Sequence, residues 1–220
     1  MSIAEKLTTI AENQKRVYDA GFTAGQAEGG SVQDNARYAS SIRFHNTAFP
    51  EGYEMLLKLN DPDNLPQFRG ATGIRKVTID VHTDKSYDAS NFLYNNTTIE
   101  ELVFPDGIQF SSLGYFATNC KALKRVVGRV NMTGITTSSI YNGCSALEEV
   151  YFMPNTIGVN FDIKHSALLI DASVQSIIDG LADLSGTEPQ TLFLNNAIGA
   201  KLTDAQRETI AGKNWILSLY

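Results

Sequence analysis

The two cysteines of the chain, Cys120 and Cys144, lie 24 residues apart and are its most nucleophilic type of side chain. If this spacing places them at one position of two stacked strands, their backbones are about 5 Å apart and a disulfide is geometrically conceivable. The alternative, which assembly in a reducing cytoplasm favours, is a pair of buried thiols that fill a narrow part of the core. We predict buried thiols and no disulfide framework.

A second set of side chains could bind a metal or act as acids and bases: His45, His82 and His165, Asp61 with Asp63, and Asp80 with Asp84. The histidines show no metal-ligand spacing, and the aspartates lack the loop pattern of a calcium site, so turn formation explains them better. The sequence also contains no Gly-x-Ser-x-Gly elbow and no phosphate-binding glycine loop. We predict no catalytic residue, no metal and no cofactor, and therefore a protein that is not an enzyme.

Four tyrosines offer a different chemistry, because a ring that carries a hydroxyl can contact carbohydrate or protein. They fall outside the apolar columns of the repeat described below: Tyr94, Tyr115, Tyr141 and Tyr151. Either these side chains line one exposed binding face, or they are scattered surface tyrosines without a shared role.

Composition limits the partners of the chain. Its 220 residues are 43% hydrophobic, which is enough for a packed core, and 18 basic against 24 acidic residues give a net charge of −6. Because no strong basic cluster occurs, we expect no nucleic-acid binding. No apolar run approaches the roughly 20 residues needed to span a bilayer, and the first residues do not resemble a secretory signal. We expect a soluble protein, made in the cytoplasm, without a signal peptide or membrane insertion.

The elements that would position these side chains come from an internal repeat. Three segments align without a gap at a period of 24 residues, and they begin at Phe92, Phe116 and Ile140. Each contributes one apolar residue to each of three columns: Phe92/Phe116/Ile140, Ile99/Leu123/Leu147 and Leu102/Val126/Val150. Such columns are removed from water only when the repeats stack. The pattern therefore predicts a β-rich solenoid of the leucine-rich-repeat type, with short parallel strands.

Further repeats flank these three. Ile74 matches Ile99 after a slip of one residue, and residues 166–168, Ser-Ala-Leu, align with residues 145–147, which read the same. Four or five repeats are then present over residues 71–170. Charged pairs of alternating sign occupy the outward positions between two columns, and they should favour stacking: Glu100-Glu101, Lys124-Arg125 and Glu148-Glu149.

The ends of the chain do not repeat. Residues 31–70 are predicted to form an irregular entry, or N-terminal cap, with one short strand at residues 53–59. Residues 171–220 should form an α/β C-terminal cap with a helix over residues 173–184 and a strand at residues 191–194. A capping-box helix from Thr203 to Gly212 and a last strand around Trp215 should follow.

Residues 1–30 are predicted to form an N-terminal helix of about 20 residues and a glycine-rich segment that is either a linker or a helix surface for close packing. The apolar residues of the helix form a heptad seam: Ile3, Leu7, Ile10 and Val17. A helix this short must pack on a partner, so it either docks on its own chain or pairs between chains. Pairing would make the protein a homo-oligomer.

The repeat resembles the BspA-type leucine-rich repeats of bacterial and phage surface proteins. The likeness covers about residues 70–170 and rests on one spacing, Phe116-x3-Cys120-x2-Leu123-x2-Val126, and on two closing motifs, Phe104-Pro105 and Phe152-x-Pro154. Both ends of the chain are also similar to phage and prophage structural proteins of gut bacteria, at residues 1–21, 174–178, 201–204 and 213–215.

This resemblance implies a non-catalytic, virion-associated structural or attachment protein on the tail, the baseplate or another outer surface. It implies assembly in the host cytoplasm, a trimer or contacts with other virion proteins through the N-terminal helix, and a host-surface carbohydrate or protein as ligand. The chain departs from the cell-surface adhesins of this repeat class because it shows no export signal or wall anchor. The alternative is a stand-alone bacterial leucine-rich-repeat module that binds protein or carbohydrate.

Overall fold

The structure, a computed structural model, describes residues 43–59, 65–81, 84–137 and 139–220. Within them the chain forms ten strands and three helices. In chain order these are β1 (Ala48–Leu59), β2 (Thr72–Val81), β3 (Ser86–Asp88), β4 (Glu101–Val103), β5 (Gln109–Ser112), β6 (Arg125–Val130), β7 (Glu149–Phe152), β8 (Phe161–Asp162), α1 (Asp171–Gly180), β9 (Gln190–Leu194), α2 (Asn196–Gly199), α3 (Asp204–Gly212) and β10 (Trp215–Leu219). The predicted N-terminal helix, its seam Ile3, Leu7, Ile10 and Val17, and the glycine-rich segment lie outside the described residues.

The main sheet has five parallel strands in the order β1-β2-β4-β6-β7. Leu102 of β4 pairs with Val77 on one side and with Val126 on the other, which confirms both the 24-residue period and the slip of one residue before it. Parallel neighbours need a crossover, and the remainder of each repeat supplies it. The described residues also form two smaller parallel sheets. One pairs β3 with β5, and the other has the strand order β10-β9-β8.

Hydrogen bonds also join the repeats outside the strands. The backbone N–H of Leu93 donates to the carbonyl of Phe116 at 2.7 Å, and Ala117 N–H donates to the carbonyl of Ile140 at 3.0 Å. Successive repeats are therefore joined at more than one side, and the fold is β-rich with short parallel strands and few helices.

The three predicted apolar columns are confirmed as core, since all nine side chains are buried. The rings of Phe92 and Phe116 lie nearly parallel, with centroids 5.7 Å apart. In β4, β6 and β7 only the inward residues are buried, because successive side chains of a strand point to opposite faces.

The outward charges form the predicted ladder of alternating sign. Glu101 Oε1 lies 2.6 Å from Lys76 Nζ, and Arg125 Nε lies 3.9 Å from Glu101 Oε2 and 3.6 Å from Glu149 Oε1. The hydrogen bond from Lys76 lowers the pKa of Glu101, and the positive charges of Lys76 and Arg125 act in the same direction against desolvation.

The predicted alignment of the last repeat is wrong by one residue. Leu168, aligned with Leu147, is 55% exposed, whereas Leu169 is buried. Ser166 occupies the repeat position of Cys144. The N–H of Ser166 donates to the carbonyl of Ile163, and in the preceding repeat the N–H of Cys144 donates to the carbonyl of Tyr141. The alignment was wrong because it matched the Ser-Ala-Leu string that both repeats contain, whereas the last repeat is shortened by a different number of residues than this match implies.

Residues 43–59 are more regular than predicted, since β1 extends over Ala48–Leu59. The C-terminal elements occur in the predicted order, with α1 in place of the next strand and β9 and β10 after it, but α1 ends at Gly180 and not at residue 184, because Leu181 forms a parallel bridge with Ile157. The capping box of α3 is present, with Thr203 Oγ1 accepting from Gln206 N–H at 3.2 Å and Gln206 Oε1 accepting from Thr203 N–H at 2.9 Å.

Helix α1 covers one edge of the main sheet. The hydroxyl of Ser173 accepts the N–H of Val150 at 3.1 Å, and that of Ser176 accepts the N–H of Phe152 at 2.9 Å. Two side chains of the helix thus take the place of the strand that would otherwise pair with β7. An edge covered in this way is closed to pairing with other chains. None of the helices in the described residues is long and apolar enough to cross a membrane.

Candidate binding surface

The four candidate tyrosines do not share one face. Tyr141 is fully buried, so its assignment to an exposed surface is wrong. It occupies the repeat position of Leu93 and Ala117, which are buried too, and the small Ala117 side chain fits beside a large ring. The gapless alignment already contained this signal, because it placed Tyr141 opposite two apolar residues.

The buried hydroxyl of Tyr141 has no hydrogen-bond partner in the described residues. Burial raises the pKa of Tyr141 well above its ordinary value, and the nearby Cys144 and Cys120 raise it further. This tyrosine therefore contributes to packing and cannot contact a ligand at the surface.

Tyr151 lies on the outward face of the main sheet, where it pairs with Arg129 of β6. It is half-buried and lines a cleft of about 350 Å³ between the sheet and α1, together with Phe152 and Gln175. The Arg129 guanidinium is already paired, since its Nε lies 3.6 Å from Asp106 Oδ2. Tyr151 thus belongs to a different surface from Tyr94 and Tyr115.

Tyr94 and Tyr115 do come together. Their ring centroids are 5.4 Å apart at an interplanar angle of 54°, and the Arg69 guanidinium lies 5.0 Å from the centroid of the Tyr94 ring. Arg69, Tyr94 and Tyr115, here called the arginine cluster, come from three consecutive repeats. A guanidinium at this distance over a ring is held by a cation–π attraction.

The register of the backbone explains why these side chains meet. Gly70 N–H donates to the carbonyl of Tyr94 at 2.8 Å, and Asn95 N–H donates to the carbonyl of Thr118 at 2.9 Å. Each donor comes directly after the residue that is equivalent to the acceptor: Gly70 follows Arg69, which is equivalent to Tyr94, and Asn95 follows Tyr94, which is equivalent to Thr118. One row along the stack therefore carries equivalent side chains of successive repeats, here called the outer row: Arg69, Tyr94, Thr118, Asn142 and Lys164. Thr118 is the buried member of this row, and its hydroxyl donates to the carbonyl of Ser139.

The backbone at Tyr115 is unusual for an aromatic residue. Its φ is +54°, in the left-handed region, and Asn91 occupies the equivalent position of the preceding repeat with a φ of +58°. Asparagine tolerates this conformation, whereas a bulky residue there is a genuine outlier. The Tyr115 side chain is also 55% exposed, so the ring packs only in part, against that of Tyr94. Strain at an exposed side chain is typical of functional positions.

A second group lies further along the outer row. Lys164 Nζ is 4.7 Å from the centroid of the Tyr220 ring and 5.7 Å from that of Phe193, and 3.2 Å from Asp162 Oδ2. Lys164, Phe193 and Tyr220 are called the lysine cluster. The sequence did not indicate this cluster, because Lys164 lies after the point at which the 24-residue period is broken, and the two rings come from β9 and from the last residue described.

The cysteines are free and buried, as predicted. The thiol of Cys120 donates to the carbonyl of Leu93 at 3.1 Å, and that of Cys144 donates to the carbonyl of Ala117 at 3.0 Å. Burial raises the pKa of Cys144 to about 12, and it raises that of Cys120 as well. Thiols in this state are structural, because the thiolate is the nucleophilic form.

The remaining candidates do not converge on a site. His45 Nε2 lies 3.1 Å from Gln67 Oε1 at the surface, and His165 is exposed. Among the residues that the structure describes, no group of three or more histidine, cysteine, aspartate or glutamate side chains could hold a metal ion. His82, Asp61 and Asp63 lie outside those residues.

Comparisons with protein-family models, with curated proteins and with solved structures found no significant match to the chain.

Proposed function

We propose that the chain is a non-catalytic binding protein built on a solenoid of the leucine-rich-repeat type. The proposal of a solenoid is supported by the strand order of the main sheet, which follows the order of the chain, and by the pairing of each of the strands β2, β4 and β6 with the equivalent strand of the next repeat. In such an architecture each repeat contacts only its neighbours, and side chains at one repeat position form a continuous outer surface.

The arginine cluster carries the proposal of binding. Its Tyr115 is exposed and held in a backbone conformation that is unfavourable for an aromatic residue, and strain of this kind clusters at functional sites. The surrounding hydrogen-bonded repeats hold the three side chains in place before any ligand arrives. A site preorganised in this way loses less conformational entropy on binding.

We further propose that this protein is a structural or attachment component of a phage or prophage particle, on the tail, the baseplate or another outer surface. The support is the resemblance of both ends of the chain to phage structural proteins. One of the resembling segments, residues 213–215, fastens the C-terminal region, because its three side chains all donate to carbonyl groups of residues 178–187. The predicted homo-oligomer, with a trimer favoured, depends on Ile3, Leu7, Ile10 and Val17, and it stays a prediction.

Mass spectrometry of purified particles tests the location. Particles induced from a host that carries the gene should contain the chain at a constant ratio to the major capsid protein after gradient purification. A chain found in the host cytosol and never in particles would contradict the virion assignment. That result would favour a stand-alone binding module, which could use the same arginine cluster.

A further inference from the structure

We propose that the outer row binds an acidic polysaccharide, laid along the repeats from the arginine cluster towards the lysine cluster. This inference rests on the part of the proposed function that assigns binding to the arginine cluster, and it names the class of ligand. Four features carry it: an arginine that has no acidic partner among the described residues, exposed rings, polar groups between the clusters, and the spacing of the repeats.

Arg69 differs from the arginines of the sheet face. Arg75 is paired with Glu54, Arg125 with two glutamates and Arg129 with Asp106. Within the described residues Arg69 has no such ion pair, and its exposed guanidinium lies instead over the Tyr94 ring. A guanidinium held in place but not neutralised is suited to a carboxylate or a phosphate, which it can bind through two parallel hydrogen bonds.

The exposed rings of the two clusters fit a sugar better than a protein. Tyr115 and Tyr220 are each 55% exposed, and the apolar C–H face of a pyranose packs well on an exposed tyrosine ring. Among the exposed large aliphatic side chains of the described residues, Leu219 directly precedes Tyr220, and the others belong to other segments, at Leu56, Val127, Leu168, Ile170 and Ile216. A standard protein interface buries about 800 Å² on each partner around an apolar centre, whereas single rings among polar groups suit single sugar rings.

Polar groups connect the two clusters. Next to the outer row, Asn119 Nδ2 donates to Asn95 Oδ1 at 3.0 Å, and these two side-chain amides lie at the surface. Asn142 Nδ2 lies 3.4 Å from Asp162 Oδ2. Surface amides of this kind can exchange hydrogen bonds with sugar hydroxyls, since they provide both donors and acceptors, whereas the Asp162 carboxylate is buried and already paired.

The geometry favours a linear ligand. Tyr94 and Lys164 are three positions apart along the outer row, which corresponds to about 15 Å at the spacing of hydrogen-bonded strands. A linear polysaccharide presents successive sugar rings at a similar interval, so several rings of one chain would contact successive repeats. Lys164 at the far end is already paired with Asp162, so Arg69 is the principal cation for an acidic substituent and the lysine cluster contributes mainly its rings.

Binding to immobilised polysaccharides tests this proposal with the full-length protein. The probes are polygalacturonate, which carries carboxylates, phosphomannan, which carries phosphodiesters, and neutral dextran. We expect at least one acidic polysaccharide to bind at least tenfold more tightly than dextran, and the binding to weaken as NaCl rises from about 0.05 M to about 0.5 M. The difference between the two acidic probes identifies the acidic group.

Three variants locate the site. Tyr115→Asn removes the ring but installs the residue that the preceding repeat has at this position, and Arg69→Gln removes the unpaired charge. Each should weaken binding at least tenfold with an unchanged circular dichroism spectrum. Arg129→Gln is the matched control, because it makes the same charge change on the sheet face and should retain full affinity.

Either of two results would overturn the inference: neither acidic polysaccharide binds more tightly than dextran, or Tyr115→Asn and Arg69→Gln bind as the natural chain does. Both outcomes are independent of the particle experiment. A chain present in virions that binds neither acidic probe would keep the proposed location and lose this ligand. If the chain is absent from virions but binds an acidic polysaccharide, the proposed ligand is kept and the proposed location is lost.

Discussion

The repeated part of the chain, residues 65–169, and the C-terminal part, residues 170–220, satisfy their backbone groups in different ways. In the repeats the same hydrogen bond recurs from copy to copy, as in the donation from Gly70 to Tyr94, from Asn95 to Thr118 and so on along the row. No single residue is responsible for more than a small share of this ladder. Stability there is distributed among neighbouring repeats.

In the C-terminal part, three consecutive side chains satisfy backbone carbonyl groups by donating hydrogen bonds to them. Lys213 Nζ donates to the carbonyl of Leu181 at 2.6 Å and to those of Asp179 and Ile178, near the end of α1. Asn214 Nδ2 donates to the carbonyl of Thr187 at 2.8 Å, and Trp215 Nε1 to that of Ala182 at 2.9 Å. In the repeated region the loss of stability caused by removing one contact is shared among neighbouring repeats. The stability of the C-terminal region depends instead on one short segment.

The largest expected effect is in the repeat core. Leu147→Ala should lower the free energy of unfolding by about 2–5 kcal/mol, because it opens a cavity in a fully buried column. Urea denaturation followed by circular dichroism measures it. Leu168→Ala, at the exposed position with which Leu147 was first aligned, should cost less than about 0.5 kcal/mol. Equal losses in the two variants would contradict the corrected register.

A smaller but more localised effect is expected at Lys213. Lys213→Met keeps the apolar stem and removes the ammonium that caps α1, so we expect a loss of about 1–3 kcal/mol. Hydrogen exchange should show reduced protection in α1 and at residues 181–187, with protection in β2, β4 and β6 retained. Lys201→Met at an exposed position is the control. Uniform loss of protection over the whole chain would mean that the two regions are not separately stabilised.

At Tyr115 stability should change in the opposite direction. Tyr115→Asn is expected to stabilise the protein by about 0.5–1 kcal/mol, because asparagine adopts the left-handed conformation more readily than tyrosine. The reverse change in the preceding repeat, Asn91→Tyr, should destabilise it by a similar amount. Thermal unfolding of both variants checks the pair. A Tyr115→Asn variant that is clearly less stable would show that the ring contributes to folding.

The smallest effect concerns the charge ladder. Because Lys76 lowers the pKa of Glu101, the ionised carboxylate stabilises the fold above the unfolded pKa of about 4.3, and this contribution is lost as the pH falls through the lower folded pKa. Glu101→Gln should cost about 0.5 kcal/mol at pH 7, a value typical of surface pairs, and nothing once the pH is below the folded pKa. Unfolding free energies measured across this pH range test it, with the exposed Glu188→Gln as control. A cost independent of pH would exclude an ionic origin.

The sequence was sufficient to predict what depends on period and polarity. The columns containing Phe92, Leu123 and Val126 and the alternating charges could be placed because each position recurs every 24 residues. The capping box at Thr203 was equally accessible, since its partners are three residues apart.

What could not be predicted depends on contacts between residues far apart in the chain. The shortened repeat before Leu169 broke the period, so counting residues gave the wrong register. Lys213 reaches carbonyls more than 30 residues away, and no local pattern signals such a contact. The lysine cluster required the same knowledge, because Tyr220 meets Lys164 only through the pairing of β8, β9 and β10.

The pairing of each repeat with the equivalent positions of the next has a consequence for how the protein can evolve. Unequal recombination that duplicates or deletes one 24-residue unit leaves every remaining hydrogen bond with the same kind of partner. Such an event would change the distance between the arginine and lysine clusters by about 5 Å and leave each cluster intact, if the unit lies between them. The number of repeats would then set the length of ligand that both clusters can hold, so that related genes of different length could select chains of different size.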